Sequence, residues 1–138
     1  AANISTQAHA LAMDLPFLGS DGWDGVIAQT VDPSILEGAI FLTPFLASSD
    51  DPATQAFVKE YEEKYNAIPD QFADGYDGIY IIAAAMEEAQ STESADLIAA
   101  MTEIEVDGLT GFMTFTADGE PNKEANFAEI KNGEYIAR

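Results

Sequence analysis

The segments FLGSDGWDG, residues 17–25, and GAIFLTPF, residues 38–45, decide how the fold is read. Pro16-Phe17-Leu18 reads as a short buried strand closed by Gly19, and Gly38 to Thr43 as a second apolar strand ended by Pro44. Between them Val26, Ile27, Ile35 and Leu36 fit one or two short helical turns. Apolar strands in strand–helix–strand order predict a parallel α/β sheet, because parallel strands need a crossover and are covered on both faces. Upstream, Ser5 to Ala12 is rich in helix formers.

Downstream, residues 47–52 (ASSDDP) form a linker whose Ser and Asp can cap a helix with Pro52 in its first turn. From Ala53 the apolar positions Ala53, Phe57, Tyr61 and Tyr65 recur every four residues, opposite a face of Lys and Glu, which predicts an amphipathic surface helix. A second helix is predicted from about Asp74 to Ala89. Its centre, Ile79 to Met86, is apolar all round, so it is expected to be buried between layers. A third begins near Thr92 or Ser94, with Leu97, Ile98 and Met101 on one side. The period then changes to two: Phe112 to Thr116 and Asn126 to Lys131 read as strands, and Asn132-Gly133 as a two-residue hairpin loop before Tyr135-Ile136.

Charge is the outlier of the composition. Twenty-five acids against five bases leave a formal net charge of -20 in 138 residues. That excludes a nucleic-acid binder held by clustered Lys and Arg, and a polybasic membrane-surface protein. No apolar run approaches the roughly 20 residues of a transmembrane helix. With no cysteine, a disulfide scaffold, a thiolate metal site and a cysteine nucleophile are excluded. The start at Ala1 reads as a processed or truncated product.

The chemistry-bearing stretch is Gly19 to Gly25. Ligands of open parallel sheets bind beyond the carboxyl ends of strands, where loops turn into helices. Asp21 lies three residues past Leu18 between glycines. Trp23, the only Trp, is a large apolar surface with one N–H donor. A carboxylate beside such a ring can hold an ammonium group. The bland alternative is a Gly/Asp-rich turn with Trp23 packed in the core. A calcium loop fails the EF-hand spacing and lacks its terminal Glu. His9, the single histidine, lies on a predicted helix and reads as a surface or packing residue.

The run FLGSDGWDG, then GAIFLTPF, FVKEYEEKYNAIPDQFADGYDGIYIIAAAMEEAQST, GLTGFMTFTADGEP and AEIKNGEY, resembles the substrate-binding proteins of branched-chain amino-acid ABC transporters. These have the type 1 periplasmic-binding-protein fold, an α/β architecture of two lobes with parallel sheets, flanking helices and hinge-crossing strands. The resemblance covers nearly the whole chain and implies that it corresponds to the C-terminal portion of such a protein. It assigns residues 1–45 to the second lobe, 46–119 to the first lobe and hinge, and 120–138 to a hairpin returning to the second lobe. It also implies that Asp21 binds the ligand's α-ammonium, that Trp23 is part of the side-chain wall, and that Phe72 lines the cleft from the other lobe. Tyr76 and Asp77 are expected to be structural.

The expected function follows from that resemblance: an extracytoplasmic receptor, periplasmic or lipid-anchored, that captures a Leu-, Ile- or Val-like amino acid for a permease. No cofactor and no metal are expected. The partners implied are the small amino acid, the ABC transporter permease, and the N-terminal part of the same protein or a segment-exchanged copy. Receptors of this fold for amides, urea or aromatic acids, and a stand-alone acidic interaction domain, are the alternatives. An acidic hydrolase using Asp21 with Asp24 or His9 lacks a nucleophile or metal set.

Overall fold

The computed structural model describes residues 1–69 and 73–138. The chain divides into two units, one of residues 1–71 with 125–138 and the other of residues 72–124.

In the first unit, helix α1 (Ala2–Ala10) precedes strand β1 (Leu18–Gly19), a 3-10 turn (Asp21–Trp23), helix α2 (Val26–Gln29), a second 3-10 turn (Pro33–Leu36) and strand β2 (Ile40–Leu42). As the apolar pattern predicts, β1 and β2 run parallel, with Leu18 opposite Ile40 and Gly19 opposite Phe41. The returning chain adds strands antiparallel to β2: β5 (Phe127–Lys131) and β6 (Glu134–Ala137), giving the sheet order β1-β2-β5-β6. Asn132 and Gly133, at φ 54° and 76°, join β5 to β6, the left-handed pair that a two-residue hairpin loop requires.

The core of this unit consists of Val26, Leu36, Ala39, Phe41, Ala128 and Ile130, with Phe17, Trp23 and Tyr135 packed against it. β1 is not the buried strand expected from its composition. It is an edge strand, and alternation turns Leu18 away from the core, leaving it 77% exposed. After β2, helix α3 (Pro52–Tyr65) starts at an N-cap Asp51, whose Oδ2 accepts the Thr54 N–H at 2.7 Å. Phe57, Tyr61 and Tyr65 stack along it at ring separations of 5.9 and 4.6 Å.

In the second unit, helices α4 (Ala73–Ala89) and α5 (Ser94–Ala100) pack around Ala85, Ala100 and Ile104. Strands β3 (Val106–Gly108) and β4 (Gly111–Met113) form an antiparallel pair beside them. The expectation that the centre of α4 is buried all round is not met. Ile81, Ala84 and Ala85 face the core, whereas Ile79, Tyr80, Ile82 and Met86 are exposed. α5 covers only one stripe of α4, and an all-apolar sequence does not say how many faces receive a partner.

Asp77, 3% exposed on α4, holds the β3–β4 turn in place. Its Oδ1 accepts the Leu109 N–H at 2.9 Å, and its Oδ2 accepts the Thr110 N–H at 2.8 Å and the Thr110 Oγ1 hydroxyl at 2.6 Å. Gly108 makes room for this carboxylate, since a Cβ there would stand 2.5 Å from Oδ2. The structural role expected for Asp77 is therefore that of a buried side chain whose two oxygens close a turn.

Candidate functional site

The turn after β1 carries Asp21 and Trp23, two of the three residues expected at a site. The Trp23 N–H donates to the Ser20 carbonyl at 3.1 Å and the Asp24 N–H to the Asp21 carbonyl at 3.0 Å, winding residues 21–23 into one 3-10 turn. Gly25, at φ 74°, ends it in the left-handed region and starts α2. The Tyr135 hydroxyl accepts the Ile27 N–H at 3.1 Å, and the Tyr135 carbonyl accepts the Ser48 hydroxyl at 2.9 Å. The C-terminal hairpin thus fastens both the helix behind the turn and the segment leading to α3. Sequence reasoning did not single out Tyr135; a lone aromatic two residues past a hairpin loop carries no periodic signal.

Asp21 is exposed at the carboxyl end of β1, the position the strand–loop–helix reading assigns it. Its Oδ1 accepts the adjacent Gly22 N–H at 3.0 Å, which uses one of several acceptor positions of an ionised carboxylate. Before Lys59 the sequence contains no Lys or Arg, while it has Asp14, Asp21, Asp24, Asp32, Glu37, Asp50 and Asp51. With a formal net charge of -20, the long-range field of the whole chain favours a cationic group.

Trp23 is half-buried rather than splayed into solvent. Its ring lies against Phe17, centroids 5.7 Å apart, and over Gly19. It packs against the core as a partly buried residue. Asp21 and Trp23 are brought together on one turn. Phe72, the third expected site residue, lies outside the described residues. Among the described residues, no cluster of three His, Asp or Glu could hold a metal ion, and no helix is long and apolar enough to cross a membrane.

Comparison with known proteins decides the family. The profile described as "Periplasmic binding protein" matches residues 1–134. The chain belongs to that family. It is similar in structure to part of the leucine-binding protein LivK of Thermotoga maritima, with a TM-score of 0.84 and 27% identity over 99% of this chain. The branched-chain amino-acid transporter substrate-binding protein LivJ of Streptococcus pneumoniae, in complex with isoleucine, matches with a TM-score of 0.81 and 26% identity over 100% of the chain. An ABC-transporter solute-binding protein of R. palustris, in complex with benzoate, shares the fold at a TM-score of 0.80 and 23% identity over 99% of the chain. The chain spans 40%, 42% and 38% of these three proteins, respectively. No curated protein sequence matches it.

Proposed function

We propose that this chain is part of an extracytoplasmic solute-binding protein that captures a branched-chain or similar amino acid for an ABC transporter. One observation carries the reading: in a chain of this family, Asp21 is exposed on the turn at the carboxyl end of the parallel strand β1. Asp21 takes the ligand's α-ammonium, and Trp23 forms part of the side-chain wall. Residues 1–45 belong to one lobe, 46–119 to the other lobe and hinge, and 120–138 return to the first. The pairing of β5 with β2 supports that return. Hydroxyls and backbone N–H groups for the ligand's carboxylate come from the rest of the receptor. Closure of the two lobes around the ligand is the switch that the permease reads, and no bond is made or broken.

An aromatic-acid receptor is the competing reading within the fold. Asp21 disfavours it, because such a ligand offers no cation and brings its own carboxylate toward an acidic turn. Titration calorimetry of the intact receptor with leucine, isoleucine, valine and benzoate separates the two. Tight binding of a branched-chain amino acid and none of benzoate is expected; the reverse order refutes the proposal.

A further inference from the structure

We infer that Gly19 is a positioning residue of the binding turn, whose missing side chain is the space that the Trp23 ring occupies. The inference rests on the proposed role of Trp23. Five glycines of the chain have positive φ, where glycine is conformationally favoured, and Gly19 is not one of them. Nothing in its backbone calls for glycine. The space does: a Cβ at Gly19 would overlap Cδ1, Cγ and Nε1 of Trp23. These atoms belong to the stem side of a rigid bicyclic ring, so no flexible tip can move aside.

Phe17 holds the same ring from a neighbouring position. Asp21 and Trp23 share one 3-10 turn, so a side chain at position 19 would move the wall and the carboxylate together. Gly22, in the turn itself, is a built-in control: among the described residues a Cβ there meets, within 4 Å, only the Ser20 Oγ, at 3.9 Å.

The test is a double-mutant cycle in the intact receptor, with leucine and alanine as probes and the Trp23 indole N–H signal as reporter, assigned by its loss in Trp23→Phe. Gly19→Ala is expected to shift the indole signal and to lower the preference for leucine over alanine about tenfold, whereas Gly22→Ala leaves the signal in place. In a Trp23→Leu background, Gly19→Ala should change that preference less than about twofold. An unmoved indole signal in a folded Gly19→Ala protein, or an equal loss in both backgrounds, overturns the inference. Should Gly19→Ala alone fail to fold, restoration of folding by Trp23→Leu supports it, and continued failure overturns it. If Trp23→Leu leaves the leucine preference intact, the wall role of Trp23 is refuted, while a shifted indole signal in Gly19→Ala still upholds the contact.

Discussion

Replacing Asp77 by alanine should destabilise the α4–β3–β4 unit more than any surface substitution. The buried carboxylate receives three donors, two backbone N–H groups and one hydroxyl, at 2.6–2.9 Å. Alanine leaves them without an acceptor. Thr110 is buried and Leu109 half-buried, so water replaces the lost oxygen poorly. A buried donor left unsatisfied costs about 1–3 kcal/mol. The Thr110 hydroxyl can rotate toward another acceptor, so the two N–H groups dominate and the expected loss is about 3 kcal/mol. Asp77→Asn keeps one carbonyl oxygen but turns an NH2 group toward a donor, and should fall between alanine and the parent. Urea unfolding gives the free energies, and hydrogen exchange at the Leu109 and Thr110 amides locates the effect. An alanine variant within about 0.5 kcal/mol of the parent, the range of ordinary surface changes, would refute the reasoning.

Tyr135→Phe keeps the edge-on packing against Phe41 but removes the acceptor for the Ile27 N–H, and urea unfolding should show a loss of about 1 kcal/mol. The Asp51 carboxyl is held below its ordinary value of 3.8, first by the backbone N–H of Thr54. A depressed folded-state pKa contributes stability above the unfolded value and loses it as pH falls through the folded value. The melting temperature of the parent should therefore exceed that of Asp51→Asn at neutral pH, with the gap closing in acid; a pH-independent gap contradicts this. The 138-residue chain by itself should show no micromolar leucine binding in calorimetry, because an exposed ion pair is worth only about 0–1 kcal/mol. The same chain should self-associate in size exclusion through the exposed Ile79, Tyr80, Ile82 and Met86, and Ile79→Glu with Ile82→Glu should make it monomeric.

Where local chemistry alone determines structure, the sequence is legible. Asp51-Pro52 starts α3, Asn132-Gly133 turns the last hairpin, and the apolar runs around Leu18 and Ile40 pair in parallel. Strand β3 escapes such a reading, because Val106-Asp107-Gly108 is too short for alternation and gains its place from pairing and from Asp77. The exposed stripe of α4 escapes for a different reason: hydrophobicity shows what can be buried, not what lies opposite. At the turn proposed to bind ligand, Asp21 and Trp23 stand out by residue type and spacing. The dependence of Trp23 on Gly19 is a contact between a strand end and a ring four residues later, and no periodicity predicts it.

The interaction proposed for the turn is a salt-linked hydrogen bond between Asp21 and the nitrogen of an amino acid. Calorimetry of the intact receptor and its Asp21→Ala variant, each titrated with leucine and with 4-methylpentanoate, which lacks the amino group, isolates it. A hydrogen bond to a charged group is worth about 1.5–3 kcal/mol, so leucine affinity should fall about ten- to hundredfold. Binding of 4-methylpentanoate should be unchanged or tighter. Equal leucine affinity in the two proteins would contradict the account.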